Sequence, residues 1–241
     1  MTRENSTSLL DVERPSRQYP RGVGTKFTAD GAVMPFPGNT IICHLPGDSP
    51  LKPGLLDLYK TLEEGEHRHL YTLLPPESWH MTVFEGVVDA KREIGFWPDD
   101  LQPNIPLDEC TSHFAQKLDR FDLEGLEVIG MDVTGWLPLV DGIGLTLTSK
   151  QLAQETELRR LRDRLSDALQ LRNPEHDHYV FHLSIAYLLK KLTPAQSEAL
   201  AATLQHALAS LPSGFMLRAP EFCEFDDMFE FRRKFYLRTA V

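Results

Sequence analysis

The sequence predicts an α+β fold in which one strand–helix–strand unit is used twice. Two observations carry this expectation. Short apolar runs rich in β-branched and aromatic residues alternate with leucine stripes of helical period. The order strand, helix, strand occurs at 40–45, 53–66 and 79–87, and again at 142–149, 150–171 and 179–188. The closing strand of each unit also contains the same short pattern, His80-Met81-Thr82 in one and His182-Leu183-Ser184 in the other.

Taken in order, residues 1–37 read as a loop-rich N-terminal extension. Its first 20 residues are polar, with Pro15 and Pro20, and a hairpin is expected around Asp30-Gly31. Residues 38–241 read as a single domain. Thr40-Ile41-Ile42-Cys43-His44-Leu45 is a strand stopped by Pro46-Gly47. Leu55, Leu56, Tyr59 and Leu62 draw a helix over 53–66, and the first histidine strand follows at 79–87. A loop at 88–104 leads into a helix at 106–121, striped by Leu107, Cys110, Phe114, Leu118 and Phe121. Two strands are expected at 126–135 and 142–149. A helix at 150–171 then stops ahead of Asn173-Pro174, before the second histidine strand. Thr193-Pro194-Ala195-Gln196 is a helix start, with a capping hydroxyl, a proline at the first helical position and a glutamine to complete a capping box. The tail reads as two strands, 215–225 and 230–238.

Bulk composition narrows the function. With 41% hydrophobic and 25% charged residues over 241 positions, the chain has the make-up of a globular protein rather than a fibrous, disordered or membrane-spanning one. Three widely spaced cysteines, Cys43, Cys110 and Cys223, fit buried free thiols in a reducing compartment, so a cytoplasmic location is expected. A net charge of −10 argues against a grip on long duplex nucleic acid, which needs a basic stripe. It leaves room for a small anion in a local basic pocket.

The chemistry lies in the repeated tripeptide. In an extended chain, alternate side chains share a face, so each histidine and the hydroxyl two residues later point the same way. Trp79, Met81 and Val83 then share the opposite face of one strand, and Phe181, Leu183 and Ile185 that of the other. An imidazole moves protons near neutral pH, and a hydroxyl donates to a phosphoryl oxygen.

His80-Met81-Thr82-Val83 and His182-Leu183-Ser184-Ile185 resemble the paired motifs of the two-histidine phosphoesterase superfamily, which includes 2′–5′ RNA ligase-like proteins and cyclic nucleotide phosphodiesterases. The resemblance covers roughly residues 38–240; the N-terminal segment and the 88–104 loop fall outside the usual core. It implies a bilobal fold with two antiparallel sheets facing a central cleft, helices on the outer faces and a pseudo-two-fold relation between the halves. It further implies a metal-independent hydrolase that opens a cyclic phosphodiester, such as a 2′,3′-cyclic nucleotide or a short RNA end. His80 and His182 would handle protons, while Thr82 and Ser184 would bind phosphate, with no cofactor.

Other groups are candidates for substrate binding. The tail strand alternates Arg232, Lys234 and Tyr236 on one face, and Lys26 and His44 are further candidates. A non-catalytic phosphate- or RNA-end-binding module is the alternative. A metal-dependent hydrolase built on His176, His178 and His182 is a weaker one, because a strand carries residues i and i+4 about 13 Å apart.

Overall fold

The computed structural model describes residues 18–239, so residues 1–17 of the expected extension lie outside the described residues. Among the described residues, nine antiparallel strands and four helices make an α+β fold around a strongly curled sheet. They are β1 (Gly38–His44), α1 (Lys52–Glu64), β2 (Tyr71–Leu73), β3 (His80–Val88), α2 (Leu107–Leu118), β4 (Val128–Trp136), β5 (Gly142–Ser149), α3 (Leu152–Leu169), β6 (His182–Leu188), α4 (Pro194–Ser210), β7 (Gly214–Arg218), β8 (Glu221–Phe225) and β9 (Arg232–Tyr236). The spatial order is β7-β4-β5-β6-β3-β1-β8-β9, with β2 paired to β6.

This order resolves into two matching halves. Outward from the centre, one half runs β3, β1, β8, β9 and the other β6, β5, β4, β7. The two strand–helix–strand units read from the sequence are β1-α1-β3 and β5-α3-β6, and each histidine strand pairs with the first strand of its own unit. The two histidine strands, β3 and β6, meet at one cross-strand pair, Met81 with Leu183. These two residues occupy the same place in the two motifs, so the pseudo-two-fold relation passes between them.

Alternation along β3 and β6 decides which way the motifs face. Trp79, Met81, Val83, Phe181, Leu183 and Ile185 are all 0–1% exposed, so these faces are core. Burying a large apolar side chain contributes about 1.5–3 kcal/mol, and six in register leave each motif strand one way to lie. The histidines and hydroxyls are thereby turned to the open face. Gly86, further along β3, lets the backbone approach β1 closely: a Cβ there would stand 2.2 Å from the Asn39 carbonyl oxygen.

The helices form where the sequence places them. Thr193 accepts a hydrogen bond from the Gln196 amide while the Gln196 side chain accepts from the Thr193 amide, completing the capping box of α4. Buried in the protein is Arg162 of α3, 1% exposed. Its Nη1 donates to the Val83 carbonyl at 2.6 Å and its Nη2 to the His176 carbonyl at 3.3 Å. Cys43, Cys110 and Cys223 are free and buried, and no helix among the described residues is long and apolar enough to cross a membrane.

Two expectations need correction. The tail strand expected over 215–225 is two strands, β7 and β8, which pair with β4 and β1 in opposite halves of the molecule. Pro220, between them, lacks the amide that a continuous ladder needs. Tyr71–Leu73 is a strand that periodicity did not single out, because three residues carry too little pattern. Residues ahead of β1 pack against the rest of the described chain. Phe27 is fully buried, its ring 5.2 Å from that of Tyr187 and 5.9 Å from that of Phe229, and the Phe36 amide donates to the Asp226 carbonyl at 2.7 Å. The Asp30-Gly31 turn does close a small hairpin, with Phe27 bridged to Val33 and Gly31 at φ +93°.

Candidate active site

β3 and β6 bring both motifs to one cleft of about 350 Å³, whose lining includes His80, Thr82, His182 and Ser184. The register centred on Met81 and Leu183 accounts for this. One residue to either side in an antiparallel pair, His80 comes opposite Ser184 and Thr82 opposite His182. Each imidazole therefore has the other motif's hydroxyl beside it.

The two histidines are oriented alike. His80 Nδ1 lies 2.7 Å from the Ser78 carbonyl oxygen, and His182 Nδ1 lies 2.8 Å from that of Val180. A carbonyl only accepts, so Nδ1 holds the proton in both rings and Nε2 is left as the available lone pair. Burial pushes His80 down from the ordinary imidazole range to about 3; the Ser78 bond works against this, and nearby His44, His182 and Lys26 add like-charge repulsion. His182 is also lowered, by burial first and then by Lys26, with the Val180 bond opposing. The Phe231 ring packs 4.3 Å from that of His80, and the Tyr179 ring 5.8 Å from that of His182.

Lys26 is a cation on the cleft wall. Its Nζ donates to the Tyr187 hydroxyl at 2.9 Å and lies 4.7 Å from the centre of that ring. Fully buried Phe27, the next residue, anchors it there. Tyr179 also lines the cleft and interacts with Thr82 through its hydroxyl, while the Arg162 guanidinium lies 4.2 Å from its ring centre. Burial raises the Tyr179 hydroxyl well above the usual range, so it remains a proton donor.

The other sequence candidates separate. His44 is the cross-strand neighbour of His80, their rings 6.3 Å apart, but it belongs to an adjoining recess of about 180 Å³ that also holds Tyr236 and Arg233. There His44 Nδ1 meets Glu221 Oε1 at 2.6 Å and Arg233 Nη1 reaches Glu221 Oε2 at 3.0 Å. Arg232 and Lys234 do not line the cleft. Arg232 pairs with Asp226 at 2.7 Å and Lys234 with Glu224 at 3.1 Å, because β9 is the outermost strand of its half and these side chains meet the acidic residues of β8 and the turn after it. The set His176, His178 and His182 is not brought together: His176 is buried and meets Asp163 at 3.1 Å, His178 is exposed in the same short 3₁₀ turn, and His182 opens β6.

Sequence reasoning missed Tyr179, Tyr187, Phe231, Glu85 and the buried Arg162. The two tyrosines flank the second motif and Glu85 follows Thr82 by three residues, which is a local signal. Arg162 and Phe231 arrive from other elements and leave none.

Comparison with known proteins follows the same line. A family profile described as 2H-phosphodiest, a domain of unknown function (DUF1868), matches residues 26–140. The crystal structure of ATU0111, a conserved protein of unknown function from Agrobacterium tumefaciens str. C58, is similar with a TM-score of 0.85 and 29% identity, over 92% of this chain and 94% of that one. A further solved structure, TT0787 of Thermus thermophilus, aligns at 13% identity with a TM-score of 0.46, over 84% and 99% of the two chains. No curated protein matches the chain.

Proposed function

We propose that the chain, which a family profile described as 2H-phosphodiest matches over residues 26–140, is a two-histidine phosphoesterase, acting as a metal-independent phosphodiesterase that opens a small cyclic phosphodiester, such as a 2′,3′-cyclic nucleotide or the cyclic end of a short RNA. The observation that carries the reading is the matched pair of imidazoles, each with Nδ1 spent on the backbone and Nε2 free, in one cleft with two hydroxyls.

The reaction needs a base for water, an acid for the leaving oxygen and donors for the phosphoryl oxygens. His80 is the harder of the two to protonate, with Phe231 against its ring and His44 and His182 beside it, and it is assigned as the base. His80 Nε2 takes a proton from water, whose oxygen forms a bond to phosphorus. One ring P–O bond breaks, and the leaving sugar oxygen takes the proton that His182 carries on Nε2. Thr82 and Ser184 donate to the non-bridging oxygens, and Lys26 adds a positive charge to the wall. The bound anion supplies the negative charge that lets His182 hold its extra proton despite burial. The cation at Lys26 also disfavours a metal ion beside the two imidazoles.

The test is a panel of cyclic phosphodiesters assayed with EDTA present, for wild type, His80→Ala and His182→Ala. Turnover that survives EDTA and disappears in both variants is the expected result. Tight binding of product nucleotides without turnover would instead make the protein a binding module, and loss of activity with EDTA would point to a metal enzyme.

A further inference from the structure

The same cleft holds a carboxylate that the reaction does not use. Glu85, on β3, lines the cleft beyond Thr82, and a negative charge in a site for an anion costs free energy unless something compensates it. Its nearest cation is Arg162, whose Nη2 is 3.6 Å from Glu85 Oε2, too far for a hydrogen bond. Oε2 is buried and has no hydrogen-bond partner among the described residues. Burial accordingly raises the Glu85 carboxyl above its ordinary range, although Arg162 opposes the shift. A carboxylate has acceptor capacity for several donors, and here much of it is unused.

Position indicates what would use it. Three residues of extended chain separate Glu85 from Thr82, about 10 Å. At that separation the repulsion between the carboxylate and a bound phosphate is largely screened where water enters. The lining of the same cleft includes aromatic rings: Phe36, with Lys26 Nζ 5.2 Å from its centre, and Phe96, with Lys91 Nζ 3.0 Å from its centre. Asn173 also lines the cleft. A flat ring joined to the phosphate through a sugar fits such a slot, stacking on aromatic faces with its edge toward Glu85. The two lysines disfavour a cationic group, so the donors should be neutral N–H groups.

Resting on the phosphodiesterase reading, we infer that the cleft is selective for guanine, with Glu85 accepting hydrogen bonds from two adjacent N–H groups on the base. Guanine offers its ring N1–H and exocyclic amino group side by side, a match for the two oxygens of one carboxylate. Adenine and cytosine place a ring-nitrogen acceptor beside their amino group, and uracil flanks its single N–H with two carbonyls, so each of these turns a lone pair toward Glu85. A site built on such bonds rejects the wrong partner through unpaired polar groups more than through shape.

The experiment compares kcat/KM for the 2′,3′-cyclic phosphates of guanosine, adenosine, cytidine and uridine in wild type, Glu85→Gln and Glu85→Asp, with thermal melting to confirm folding. Wild type is expected to favour guanosine by at least about tenfold. The guanosine-to-uridine ratio should collapse in Glu85→Gln and be partly kept in Glu85→Asp. Turnover of all four at similar rates, or a guanosine preference that persists in Glu85→Gln, overturns the inference while leaving the phosphodiesterase reading intact. If none is turned over, that reading fails, and calorimetric binding of guanosine 2′-monophosphate against uridine 2′-monophosphate decides the slot by itself. A Glu85-dependent preference for guanosine then supports it, and equal or absent binding overturns it.

Discussion

His80 and His182 hold the same ring nitrogen in the same way, each Nδ1 bonded to the carbonyl of the residue two positions earlier, at 2.7 Å to Ser78 and 2.8 Å to Val180. Both bonds leave Nε2 to act. His80→Gln and His182→Gln should each lower kcat by about 10²–10⁴-fold, the usual worth of one proton-transfer role. The double variant should be little worse than the worse single one, since one missing transfer already stalls the cycle. Single-turnover kinetics on a cyclic substrate checks both. Additive losses would mean that the two rings act in separate sites.

Both imidazoles are lowered by burial, His80 to about 3, and this ties stability to pH. Unfolded, each ring takes a proton near pH 6.5; folded, each resists it. Between the two values the unfolded chain binds more protons, so stability falls as pH drops from about 6.5 toward 3. His80→Asn should flatten this slope by less than about 1 kcal/mol per pH unit, because cleft water screens the ring. Melting curves from pH 8 to 4 measure it. Inorganic phosphate should raise both imidazole values, so its binding should take up protons, visible as a buffer-dependent calorimetric enthalpy. With substrate, a bell-shaped kcat/KM profile is expected; a flat one between about pH 5 and 9 would contradict paired acid and base.

Lys26 opposes protonation of both histidines while attracting the substrate anion. Lys26→Met should therefore weaken phosphate binding by about tenfold, the loss of one charge-assisted contact, and move both imidazole titrations upward. NMR titration of the histidine rings separates these effects. Weakened binding with unmoved titrations would place Lys26 too far from the rings to share their field.

Arg162 supports the site from beneath, bonding the Val83 carbonyl of the first histidine strand and lying against Tyr179, next to the second. Removing it leaves Glu85 without its nearest cation. Arg162→Met should cost about 3 kcal/mol or more, and Glu85→Gln in the same chain should return part of that loss. Urea unfolding of the four proteins in this cycle gives the coupling. Independent effects would show that the 3.6 Å separation carries no energy.

The sequence by itself determined the two motif strands and the duplicated unit around them. Alternation is local: whether His80 and Thr82 share a face follows from the pleat, and the packed set of Met81, Val83, Leu183 and Ile185 decides which face meets water. The α4 capping box was legible for the same reason, since every bond in it lies within four residues. Tertiary structure decided what neighbouring residues in the chain do not encode. The single pair of Met81 with Leu183 sets the histidines in one cleft, although 102 positions separate them. Phe27 carries Lys26 onto the cleft wall, and outward-facing Arg232 and Lys234 are spent on acidic partners instead. Arg162 arrives from α3 to stand 3.6 Å from Glu85. Burial and charge are sums over neighbours brought in from the whole chain, so the cleft's field and its underused carboxylate exist only once the sheet has curled.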